Sequence, residues 1–225
     1  MSSSSQTPKR NTNQTEKVVL LWFLLDACTH LTTELAFVYH SLTTTVERAT
    51  HWTALLWKEY AKADTRWGRF HDCTVAMEVV TSLLWGPLAL LCAYGVYRRA
   101  AWRHFWQLVL CVGELYGGWM TFGPDWLTSF ATGKSELNPH KHWIHFWIYL
   151  FFANMVWVIM PVLLSIESYR VLVGACKVSR SHQDPSLLLG NLGGKIILWT
   201  LYTFVGVVFL FGLLIPFQLI PAPVS

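Results

Sequence analysis

Five apolar runs in this 225-residue chain leave it few folds to choose from. They cover roughly residues 18–42, 74–97, 102–122, 143–168 and 196–220, and each matches the ~20 residues a bilayer-crossing helix needs. In hydrocarbon every backbone polar group must find its partner within the protein, which favours helices for such runs. Composition agrees: hydrophobic residues make up 53% and charged residues 13%, against roughly 25% charged in soluble domains. The expected fold is therefore all-α, a polytopic membrane helix bundle of about five transmembrane helices. Its expected organisation is a polar cytosolic tail over 1–17, a membrane domain of four spans over 18–175, a loop over 176–195 and an additional C-terminal span over 196–220.

The first run continues past signal-peptide length and is expected to act as a retained anchor. Only Arg98, Arg99, Ala100 and Ala101 separate the second and third runs, which predicts an antiparallel helical hairpin. Pro161 is a candidate bend in the fourth run, and Gly206 and Gly212 favour close packing in the fifth. Lys and Arg near the N-terminus, in the 98–103 turn and in the 176–195 loop place the N-terminus in the cytosol by the positive-inside rule. Arg48, Lys58, Lys62, Arg66 and Arg69 in the first loop oppose that assignment.

Ionisable side chains at membrane depth are costly and usually mark function. The first run carries Asp26, His30 and Glu34 at i, i+4 and i+8, on one helical face. The second carries Glu78 with Thr81, the third Gln107 and Glu114, the fourth Asn154 and Trp157. No Lys or Arg accompanies them at mid-depth. Desolvation disfavours the charged form of such a carboxyl, which makes it a proton donor at neutral pH. A histidine one turn away can shuttle the proton, and an indole face can stabilise a developing cation. Together they suggest proton-in, proton-out chemistry on an apolar substrate. Taken singly, His30 fits a packing histidine, Glu34 a span end reaching water, and Asn154 a helix-to-helix hydrogen bond. Asp125, Trp126, His140, His142 and His145 read as interfacial.

Other chemistries lack their signatures. There is no GxGxxG, P-loop or CxxCH pattern, so neither a nucleotide nor a redox cofactor is indicated. The five cysteines have no zinc-site or disulfide spacing. They read as small packing residues, and no metal is expected. The net charge of +4 is too small and dispersed to suggest nucleic acid.

Four stretches resemble the emopamil-binding protein family, the membrane sterol Δ8–Δ7 isomerases that share the EXPERA domain. They are WFLLDACTHLTTELAFVY in the first run, LWKEYAKADTRW at 56–67, TVAMEVVTSLLWGPLAL in the second run and FANMVWVIMP in the fourth. The resemblance covers about residues 20–175. It implies cofactor-independent transposition of a ring double bond: protonation of the alkene, a tertiary carbocation, and loss of a neighbouring proton. It further implies His30 and Glu34 as the proton pair, Glu78 and Thr81 as a second polar site, and Asn154 and Trp157 facing the cation. Trp67 stands where a tyrosine is often found, and Tyr60 lies in the same loop motif. The implied partners are a sterol or other terpenoid substrate, lipophilic amines as inhibitors, and lipid of the endoplasmic reticulum membrane, with a homodimer left open.

The chain also departs from the family. Members usually have a span before the His/Glu helix; here residues 1–17 are polar and the extra span follows at 196–220. The third run reads GELYGG, with Gly118 where an acid is expected and Glu114 one turn earlier on the same face. Asp26 is an additional acid. These departures keep two alternatives open: a related isomerase or cyclase acting on another terpenoid, and a non-catalytic sterol or amine binder.

Overall fold

The computed structural model describes residues 14–180, apart from 139 and 141; the span expected at 196–220 lies outside the described residues. Among the latter there are four long helices and one short one. Helix α1 is Gln14–Thr43, α2 is Leu55–Ala61, α3 is Asp72–Arg98, α4 is Arg103–Thr132, and α5 is His145–Phe152 running directly into Ala153–Arg180. α1, α3 and α5 are long and apolar enough to cross a membrane, and the expectation of an all-α membrane bundle holds. Leu21, Leu25, Leu83 and Ile159 are more than half exposed on the outer faces of these three helices, as lipid-facing side chains are.

α1 contains neither Pro nor Gly, and Glu16 in its first turn complements the helix dipole. It packs along α3. Gly86 makes that approach close: a Cβ there would lie 2.8 Å from the Leu31 side chain and 3.2 Å from His30 Cβ. α3 ends at Arg99, which adopts a left-handed conformation (φ 51°), and α4 starts four residues later, forming the expected hairpin. α4 runs ten residues past the end of its apolar run at 122. There Asp125 is buried, accepting hydrogen bonds from Ser135 Oγ (2.8 Å) and Glu136 N (2.6 Å). Asp125 is thus an anchor for the 133–138 segment.

Three π-helical turns interrupt the long helices: Thr29–Glu34 in α1, Thr81–Trp85 in α3 and His145–Phe152 in α5. Such turns recur at functional sites. Here each one holds, or directly precedes, a polar residue singled out above.

Two apolar clusters bracket that level. One gathers Phe23, Ala27, Ala89, Cys92, Leu110 and Cys111. The other gathers Phe37, Val46, Trp57, Ala63 and Trp67. The second brings the 44–71 loop into the core. Trp57 and Trp67 stack with centroids 4.9 Å apart and planes 6° apart, and Phe37 packs on both. Buried Arg66 pairs with buried Asp64 (2.6 Å) and donates to Thr121 O of α4 (2.7 Å). Thr65 N donates to Glu136 O and Asn138 N to Ala63 O, which ties the loop to the segment after α4.

Candidate active site

Between the two clusters lies a cavity of about 460 Å³. Its wall includes His30, Glu34, Tyr60, Trp67, Glu78, Thr81, Glu114, Asn154 and Trp157. The structure therefore brings together nine of the polar and aromatic residues singled out from sequence; Gln107, named with them, does not line the cavity. Asp26 is fully buried behind the wall.

His30 is the centre of the arrangement. Its Nδ1 lies 2.5 Å from Glu34 Oε2, one turn along α1. Its Nε2 lies 2.9 Å from Asp26 Oδ1, one turn back. The second carboxylate sits off the ring N–H direction, so it is a close ion-pair contact and not an aligned hydrogen bond. The imidazole is 2% exposed, so it exchanges protons with these carboxyls before it meets bulk water. Glu78 lies against Glu34 with Oε2 unpartnered. Glu114 lies against Asp26, and both its oxygens are buried without a hydrogen-bond partner. No Lys or Arg lines the cavity.

Trp157 lines the cavity from α5, and its indole Nε1 donates to Asp26 Oδ1 (2.8 Å). That bond fixes the ring, whose centroid is 6.5 Å from His30 and 5.5 Å from Trp22. Asn154, one turn before it, donates from Nδ2 to Tyr60 OH (2.9 Å) and to Tyr149 and Leu150 carbonyls of the π segment. Burial pushes the Tyr60 phenol well above its ordinary range, so it stays a neutral hydroxyl. Thr81 Oγ1 donates to Met77 O, inside its own helix.

Several wall residues were not found from sequence: Thr33, Trp57, Met77, Thr121 and Tyr149. Trp57 Nε1 donates to Thr33 O (2.8 Å), a carbonyl within the α1 π turn. Its place in the LWKEYAKADTRW motif was the available signal. Gln107, singled out from sequence, belongs instead to a part-buried network with Arg103 and Glu167, two partners that the sequence did not suggest. Arg103 donates to Gln107 Oε1 (2.6 Å) and Glu167 Oε1 (2.7 Å), joining α4 to α5 away from the cavity. As to a metal, Asp26, His30 and Glu114 are the group among the described residues whose ligand atoms all lie within 4.8 Å of one another. His30 Nε2 and Asp26 Oδ1 lie 2.9 Å apart within this group.

An all-α bundle with membrane-crossing helices around a mostly apolar cavity, with an acid-flanked histidine and an indole in its wall, defines a class of polytopic membrane proteins with a polar cluster inside the bundle. Within that class the chain belongs to the EXPERA (expanded EBP) superfamily, whose model matches residues 52–168. It is 32% identical over 159 residues to the 3-beta-hydroxysteroid-Delta(8),Delta(7)-isomerase of Cavia porcellus, covering 71% of this chain and 66% of that one. It is 32% identical over 162 residues to the Mus musculus protein of the same name, covering 72% and 67%. It is also 27% identical over 162 residues to protoglabretal synthase of Citrus sinensis, covering 72% and 73%. The chain thus spans about two thirds of the length of the mammalian relatives.

Proposed function

We propose that this chain is a cofactor-independent isomerase of the endoplasmic reticulum membrane that moves a sterol ring double bond from Δ8 to Δ7. The observation that carries the proposal is the His30 imidazole held between Glu34 and Asp26 in the wall of an apolar cavity of ligand size. The His30–Glu34 pair delivers a proton to one alkene carbon, leaving a tertiary cation on the other. The Trp157 π face and the nearby carboxylates stabilise that cation. The electrons of an adjacent C–H bond then form the new double bond, and its proton passes to Glu78. One proton enters and one leaves, so no oxidant or reductant is needed. Asn154 and Tyr60, hydrogen-bonded to each other, shape the wall beside the cation. Asp26, behind the wall, is a positioning residue for both His30 and Trp157 and makes no contact with substrate.

Protonated lipophilic amines mimic the cation and serve as competitive inhibitors. The mammalian relatives support the sterol as substrate. A second reading, proton-initiated isomerisation of another terpenoid, is favoured by the plant relatives named protoglabretal synthase and isomeliandiol synthase. The discriminating experiment is expression in isomerase-deficient cells followed by sterol profiling. Loss of accumulated Δ8-sterol supports the first reading. Persistent Δ8-sterol, with turnover of a triterpenoid by the purified protein, supports the second.

A further inference from the structure

Glu114 is 5% exposed, lines the cavity and lies against Asp26, with neither carboxyl oxygen in a well-aligned hydrogen bond. A buried carboxyl left in that state is costly unless something in the cavity satisfies it. Among the described residues no Lys or Arg lines the cavity; Asp26 gives its Oδ1 to Trp157 and His30, and its buried Oδ2 can share one proton with one Glu114 oxygen, which leaves the other Glu114 oxygen for a ligand. The wall beside Glu114 is also bare. Gly117 and Gly118 line the cavity, and a Cβ on Gly117 would meet nothing within 4 Å, while one on Gly118 would only touch Val158 at 4.0 Å. A hydrogen-bond acceptor and open space thus lie on one wall, and the Glu114 carboxyl is within 4.8 Å of the ligand atoms of His30 and Asp26.

The geometry points to Glu114 as a recognition site for a ligand hydroxyl, so that the preferred substrate is a ring-oxygenated sterol or triterpenoid whose O–H lies beside the reacting double bond. The hydroxyl donates to a Glu114 oxygen, and its carbon and any neighbouring substituent occupy the space over Gly117 and Gly118. This assignment rests on the isomerase reading for its substrate class, but the binding preference it describes can be measured without turnover. An acid pair that shares one proton carries one negative charge, and an O–H donor to its free oxygen is worth roughly tenfold to a hundredfold in affinity. A methyl ether of the same ligand fills the same space without donating.

The test uses the full chain in lipid nanodiscs and three ligands: a Δ8-sterol, its analogue hydroxylated on a ring carbon adjoining the alkene, and the methyl ether of that analogue. Kd is measured by competition and turnover by product analysis. The expected result is that the hydroxylated ligand binds roughly tenfold to a hundredfold more tightly than its ether. Glu114→Leu abolishes that preference, Glu114→Gln retains part of it, and Gly118→Leu weakens the hydroxylated ligand by filling its space. Equal Kd values for alcohol and ether in the unaltered protein overturn the assignment, as does a preference that survives Glu114→Leu. A Glu114→Gln protein that binds all three ligands as before but turns over none also overturns it, because Glu114 is then a proton-transfer group. If no ligand is turned over by the unaltered protein, the isomerase reading fails while the Kd comparison still decides the hydroxyl site.

Discussion

Replacing Trp157 separates charge recognition from shape recognition in the cavity. The indole lines the wall 6.5 Å from the His30 ring, and its Nε1 is held by Asp26 Oδ1 at 2.8 Å. A desolvated cation over such a face gains about 2 kcal/mol, which is roughly thirtyfold in Kd at 1.4 kcal/mol per decade. A tertiary amine on a lipophilic body and its carbon isostere differ in charge and little in shape. The ratio of their Kd values therefore reports how far the site favours positive charge. Trp157→Leu should cut that ratio by roughly thirtyfold on the figure above and slow isomerisation as well. Trp157→Phe should keep part of both, since a weaker π face remains while the hydrogen bond to Asp26 is lost. The assay is competition binding in nanodiscs, with product formation measured in parallel. Equal affinity of the unaltered protein for amine and isostere would refute the reasoning: the site would recognise shape alone, and a cationic intermediate would lose its structural support.

Other perturbations test other links in the argument. Glu34→Gln and His30→Ala should each lower turnover by about 10²–10⁴-fold, the usual worth of a positioned acid or base, with an unchanged melting transition in detergent; near-normal turnover would remove that residue from the proton path. Gly86→Val should cost on the order of 1–3 kcal/mol of stability through overpacking, because its Cβ would press on Leu31 and His30; detergent melting curves read the loss, and an unshifted midpoint would show that α1 and α3 can part without penalty. The Thr65 hydroxyl and the Arg69 guanidinium hold the Glu136 carboxyl below its ordinary value of 4.5. Its contribution is thus present above that value and lost as pH falls through the lower, folded-state one. Proteolysis of the 44–71 loop should accelerate across that acidic window, and Glu136→Gln should flatten the dependence; a profile identical in both proteins would exclude the carboxylate.

What could be read from the chain follows from which contacts are local. Asp26, His30 and Glu34 are four residues apart, so any helix puts them on one face, and the structure confirms that they touch. Glu114 and Gly118 share a face for the same reason and both reach the cavity. The π turns were not legible, because neither THLTTE nor TSLLW has a composition that forces one. Contacts distant in sequence were equally hidden. Tyr60 and Asn154 are 94 residues apart, and Trp157 and Asp26 131 apart. The first loop misled most. Arg66 was counted among its topological charges, yet it is 3% exposed and committed to Asp64 and to the Thr121 carbonyl within α4.

That loop explains how a site at membrane depth can be shaped by residues outside the spans. Trp57 reaches the Thr33 carbonyl of the α1 π turn, and Tyr60 meets Asn154 just after the α5 π segment. Through Arg66 the same loop is fixed to α4 at Thr121, itself a wall residue. Three long helices are therefore clamped, at the cavity, by one polar-edged aromatic segment. An unsupported bundle could relax at π turns, which trade regular hydrogen bonding for width. The loop supplies hydrogen bonds at two of them, and stacked Trp57 and Trp67 close the cavity on that side. On the proposed isomerase function, the width that would admit a rigid ring system and the anchoring that would hold the His30–Glu34 pair come from the same contacts, so substitutions in 56–67 should alter both ligand fit and catalysis.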